Sequence, residues 1–118
     1  MDFNFADVNT LLANSLEKGL YQKLLIQLKK DFDLAAIPIP ITPDLATAKV
    51  KTILQEKIYF LLLEKFDEYQ NLLYIIDVPE KGTKNTHQKD AVDLAKEITF
   101  IILKREFKKV WFRREYMP

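Results

Sequence analysis

His87, in the polar run GTKNTHQK, is the only histidine of the sequence and the side chain best suited to proton transfer near neutrality. A metal at His87 would need a second imidazole or a thiolate, and the chain has neither, since cysteine is absent. A Ser-His-Asp arrangement would have to join His87 to Ser15, the only serine, which reads as a helix-cap residue. Glu64, Asp67 and Glu68 share one helical face by their i, i+3, i+4 spacing. Helical carboxylate-bridged metal sites add a Glu-x-x-His pair, and none is present, so a solvated acidic patch is expected. With Gly19 and Gly82 as the only glycines, no phosphate-cradling loop can form. The sequence is therefore read as non-enzymatic, with no catalytic, cofactor-binding or metal-ligating residue and no cofactor.

The other chemistry on offer is electrostatic. Lys104, Arg105, Lys108, Lys109, Arg113 and Arg114 crowd the last helical stretch, ILKREFKKVWFRREYMP. Arg105, Lys109 and Arg113 share an arc with Phe112, which makes these four a candidate face for an anionic partner. An aromatic among cations can stack on an exposed base or anchor a protein interface. Glu106 and Glu115 interrupt the run, and no nucleic-acid-binding module precedes it. Nucleic acid is thus the second reading, behind a basic face that is solvated or salt-bridged.

The elements that must position these groups are helical. Strong helix formers dominate and glycine is scarce, so the fold class expected is all-α. The expected architecture is a small bundle of about four helices, with a Pro-rich extended connector and a long C-terminal helix. Pro38, Pro40 and Pro43 mark the connector, with Thr42 as N-cap and Pro43 opening the next helix. Pro79 and Gly82 mark a second loop, with helix resuming after Asn85 or Thr86. Leucines at every fourth position from Leu12 to Leu28 would wrap around a straight helix. This predicts a break between Asn14 and Gly19, with Asn14 as the restart cap, and a second helix ending near Lys30. Residues 43–77 form one helix or two, with a break favoured near Asp67, where Asp67 and Gln70 resemble a capping box. The expected core is Leu24, Leu28, Ile53, Leu54, Phe60, Leu61, Leu72, Ile76, Ile98 and Ile102.

The last helix changes its apolar face. With Lys104 at zero and 100° per residue, Leu94, Ala95, Ile98 and Ile102 lie between about 80° and 240°. Phe100, Leu103, Phe107, Val110 and Trp111 lie between about 240° and 340°. These five residues are the candidate interface, expected to pair in a homodimer or to meet another protein. The N-terminal segment around Phe3, Phe5 and Val8 is the competing cover.

A chain of 118 residues is expected to form a single helical domain over 1–118, burying roughly two-thirds of its unfolded surface. Residues 1–80 hold 8 basic and 12 acidic side chains, residues 81–118 hold 10 and 5. This asymmetry suits an anionic partner, or a match between the acidic and basic parts within or between chains. MDFNFADVN resembles no signal peptide, no run is long and apolar enough to span a bilayer, and a cytoplasmic location is expected. FDEYQNLLYIIDVPE at 66–80 and AVDLAKEITFIILKREFKKV at 91–110 resemble short uncharacterised all-helical bacterial proteins. In those, an LLYxIDVxE-like stretch precedes a helix of the form IAxxIIxRxxxK. The resemblance implies helix rather than strand for 68–77 and carries no activity and no site residue.

Overall fold

In a computed structural model of the chain, residues 2–78 and 90–117 are described. They form five α-helices: α1 Val8–Glu17, α2 Tyr21–Leu34, α3 Thr47–Glu64, α4 Phe66–Ile76 and α5 Ala91–Tyr116. The helices pack around one apolar cluster to which all five contribute. His87, Pro79, Gly82 and the expected restart at Asn85 or Thr86 lie outside the described residues.

Three helices stop by the same device. At the end of α1, Gly19 takes φ 69°; its N–H donates to Leu16 O and the Leu20 N–H to Ser15 O. Ala36 repeats the pattern after α2 at φ 59°, with Ile37 N–H donating to Phe32 O. Asp77 does so after α4 at φ 69°, with Val78 N–H donating to Leu73 O. Each is a left-handed residue that satisfies the last carbonyls of its helix and carries the next apolar side chain inward. The first break thus falls at Lys18–Leu20. Asn14 stays inside α1 and caps nothing, and α2 runs on past Lys30 to Leu34.

The helix starts also differ from expectation. Asp7 caps α1, its Oδ1 accepting from the Thr10 N–H at 2.8 Å, and Asp90 caps α5 through the Asp93 N–H at 2.8 Å. The helix expected to start at Thr42 and Pro43 starts at Thr47, because Thr42 Oγ1 bonds Asp44 Oδ1 and residues 42–45 close a turn. Between α2 and α3, Ile37, Ile39 and Ile41 are buried while Pro38 and Pro40 are exposed. Such period-two burial follows from a chain that prolines keep out of the helical region. The Tyr21 hydroxyl donates to Leu45 O and ties this connector to the start of α2.

The break in residues 43–77 comes at Lys65 (φ −142°, ψ 57°), two residues before Asp67, and it raises the helix count from about four to five. A continuous helix over residues 47–76 would run about 45 Å. The whole molecule is 38 Å in its longest dimension. Bending at Lys65 lets α4 fold back onto α2 and α5, burying Tyr69, Leu72 and Ile76. Of the expected core, Leu24, Leu28, Leu54, Leu61, Leu72, Ile76, Ile98 and Ile102 are buried and Ile53 is half-buried. Phe60 is misplaced: it is 46% exposed, on the outer face of α3.

Candidate functional site

The two arcs of α5 are both covered within the chain. Leu103 and Phe107 are fully buried, Val110 is 2% exposed, and Phe100 and Trp111 are half-buried against the same core. The cover is the N-terminal segment. Phe5 stacks on Phe107 at 5.7 Å between ring centroids, and Phe3 meets Phe107 edge-on at 5.9 Å and Trp111 at 5.7 Å. The expectation that Phe100, Leu103, Phe107, Val110 and Trp111 form an interface outside the bundle is therefore corrected. Their arc faces α1 and the Phe3–Phe5 segment, leaving only parts of Phe100 and Trp111 at the surface.

The candidate anionic-partner face is likewise engaged. Arg105 Nη2 donates to Asp77 Oδ2 at 2.9 Å, Lys109 Nζ to Asp31 Oδ2 at 2.8 Å, and Arg113 Nη2 to Gln27 Oε1 at 3.0 Å. The arc that carries apolar residues in the first half of α5 thus becomes a polar seam against α2 and the end of α4. Phe112 does not stand alone among cations. It stacks between Phe3 at 6.2 Å and Tyr116 at 5.7 Å, and is 45% exposed.

The seam contains the group of titratable side chains least apparent from the sequence. Asp31 is 4% exposed and Glu106 fully buried. Lys109 Nζ bridges them, 2.9 Å from Glu106 Oε1 but outside hydrogen-bond geometry there. Gln27 Nε2 donates to Asp31 Oδ1 at 3.1 Å. Burial, reinforced by the adjacent Asp31 carboxylate, pushes the Glu106 carboxyl up to about 8. Burial also pulls Asp31 upward, but hydrogen bonds from Glu106, Lys109 and Gln27 outweigh it and hold Asp31 below the usual range. Near neutrality Glu106 is thus the protonated member beside an ionised Asp31. Buried carboxyl pairs of unequal acidity can do acid–base work where a substrate reaches them. This one is closed over by Lys109 and the packing of α2 on α5, and its arrangement is that of a structural clamp.

The remaining sequence candidates separate. Ser15 is buried and its Oγ donates to Leu12 O at 2.7 Å, which removes it from solvent. Glu64, Asp67 and Glu68 are exposed across the α3–α4 corner, and the break at Lys65 takes them off a common helix face. Among the described residues, no cluster of three His, Asp or Glu side chains is placed to hold a metal. No helix of the described residues is long and apolar enough to cross a membrane.

Two surface features stand out that the sequence reading missed. Tyr59, Phe60 and Leu63 line the outer face of α3, and Phe66 continues it onto α4, with Leu63 55% and Phe66 51% exposed. At the other end, a groove of about 610 Å³ between α2 and the end of α5 is lined by Lys23, Ile26, Lys30, Arg113, Arg114 and Met117, among others. The first was hidden because apolar residues lie on both faces of α3. Its periodicity was absorbed into the core, as the placement of Phe60 shows.

Compared with known proteins, the chain matches no family model, no curated protein and no solved structure.

Proposed function

We propose that the chain is a non-enzymatic, cytoplasmic helical interaction module that docks through the α3–α4 corner. The observation that carries this reading is the exposed run Tyr59, Phe60, Leu63 and Phe66. Contiguous large apolar side chains on a soluble surface mark association sites more often than chance. Here they ride on a helix whose opposite face is held by Val50, Leu54, Ile58 and Leu61, so the face is presented rigidly. Hydroxyl-radical footprinting of the chain in a cell extract, against the purified chain at high dilution, tests it. Protection of Tyr59, Phe60 and Phe66 in the extract is expected; equal labelling in both would refute the reading.

The second reading is a small nucleic-acid-associated protein using the basic C-terminal helix. Its support is the cluster Lys23, Lys30, Arg113 and Arg114 around one groove. Against it, Arg105 and Lys109 already pair with Asp77 and Asp31. Binding through phosphates would weaken steeply with salt. Oligonucleotide titrations across a salt series are expected to give no such binding at physiological ionic strength.

A further inference from the structure

The groove and the corner differ in the sign of the charge they carry. No carboxylate lines the groove, whose cations are Lys23, Lys30, Arg113 and Arg114. Among the described residues, Lys23 and Lys30 have no ion-pair partner, Arg113 is held only by the neutral Gln27 amide, and Arg114 donates to Lys18 O and pairs with Glu115 at 3.5 Å. Its apolar surface includes Ile26 and Met117, 54% and 74% exposed. At the corner, residues 63–68 are exposed without interruption; Leu63 and Phe66 stand among Glu64, Asp67 and Glu68, with Lys65 in the same run and Lys57 over the Phe60 ring at 5.9 Å.

The two surfaces sit at opposite ends of the molecule. Gln55 and Tyr59 of α3 flank Val92 and Lys96 at the start of α5, and the corner lies one turn beyond Tyr59. The groove is built on the last turns of α5. The 26 residues of α5 make a helix of about 39 Å. The longest dimension of the described residues is 38 Å, so α5 spans them, with the corner placed toward its first turns and the groove on its last.

We propose that copies of this chain assemble head to tail, the acidic α3–α4 corner of one seating in the basic α2–α5 groove of the next. This rests on the interaction reading above and names its partner as a second copy. A contact between unlike surfaces leaves one free corner and one free groove on every dimer, so it extends into rings or open filaments and does not stop at two. Charge complementarity orients the approach, and Leu63 and Phe66 supply the apolar contact.

Sedimentation of complementary variants tests this. Lys23→Glu with Lys30→Glu disables the groove, and Leu63→Ser with Phe66→Ser disables the corner; all four positions are exposed, and circular dichroism checks that helicity is kept. Should the glutamates perturb α2, Lys23→Gln with Lys30→Gln replaces them. Purified wild type is expected to grow beyond 13.9 kDa with concentration and to shrink with added salt. Each double variant alone is expected to be monomeric, and their equimolar mixture to stop at a dimer, because only one live corner and one live groove remain.

A monomeric wild type at the highest accessible concentration would overturn the proposal. If footprinting in extract still protected the corner, the interaction reading would survive that loss with a different partner. Two other results also overturn it: a mixture that stays monomeric although wild type assembles, or a monomeric wild type that binds a labelled oligonucleotide through Lys23 and Lys30.

Discussion

Lys109 on α5 reaches Asp31 on α2 at 2.8 Å, across 78 residues of sequence, and the pair is only 18% and 6% exposed at the side chains. This bridge is what lets α5 stay in the bundle after its apolar residues turn to a new side. Its cation also stands 2.9 Å from the buried Glu106 carboxyl.

Removing that cation should be costly. Lys109→Met keeps the aliphatic stem but leaves the buried Asp31 carboxylate without its cation. Breaking a buried ion pair by deleting one partner typically costs about 3 to 5 kcal/mol. Urea denaturation is expected to show a loss in that range, and a loss near that of an exposed lysine would show the bridge to be open to water.

Stability should also fall with rising pH across an unusual window. Glu106 has its carboxyl raised from 4.5 to about 8 in the folded chain, chiefly by burial. In that interval the folded state binds the proton that the unfolded state has released, so stability declines as pH rises toward 8. Asp31 acts oppositely: its value lies below 3.8, so its contribution is lost as pH falls through that range. The seam is therefore most stabilising near pH 4 to 5. Urea midpoints over a pH series are expected to decline from there toward pH 8 in wild type, and to flatten over the same window in Glu106→Gln.

The N-terminal aromatics should behave as part of the core. Phe3→Ala removes ring contacts to Phe107, Trp111 and Phe112 at once. Phe3 is half-buried, so the cost is expected below the range for fully buried rings, at about 1 to 3 kcal/mol. Trp111 emission should shift to longer wavelength as water reaches the indole. Unchanged emission would show that the segment does not cover Trp111 in solution.

Gly19 and Ala36 offer a paired test of the helix stops. Both take positive φ, and a Cβ added at Gly19 would meet no heavy atom within 4 Å, so only backbone strain opposes substitution there. Gly19→Ala is expected to destabilise by about 1 to 2 kcal/mol, and Ala36→Gly to stabilise by up to about 1 kcal/mol. Thermal unfolding of the two single variants reads both signs.

Much of the fold was legible because single residues announce it. Gly19 marks the first stop, the alternation of isoleucine and proline from Ile37 to Ile41 marks the connector, and the spacing of Leu94, Ile98 and Ile102 marks the core face of α5. Ala36 and Lys65 give no such signal. Alanine is a helix former, and its left-handed conformation here is imposed by packing Ile37 and Phe32 inward. Lys65 breaks a helix that local sequence would continue, because a straight one would outgrow the molecule.

The surface was harder to read. Periodicity reports that a residue is apolar at a given angle, and the neighbour that covers it comes from tertiary placement. Phe107 and Phe60 show both outcomes: the angle of Phe107 points away from the main bundle, yet Phe5 covers it, and the angle of Phe60 points to the core, yet it faces solvent. Glu106 was legible only as an interruption of a basic run, since its burial depends on Asp31 and Lys109 meeting across α2 and α5.

The proposed docking runs through the α3–α4 corner and not through the Phe112–Tyr116 face of the last helix. The most direct measurement is the size of the tagged chain in cell extract, comparing wild type, Leu63→Ser with Phe66→Ser, and Phe112→Ser with Tyr116→Ser. A wild-type complex larger than 13.9 kDa is expected, lost in the corner variant and kept in the C-terminal one. A complex that survives the corner changes and is lost with Phe112 and Tyr116, or a wild-type chain that runs as a monomer in the extract, would contradict it.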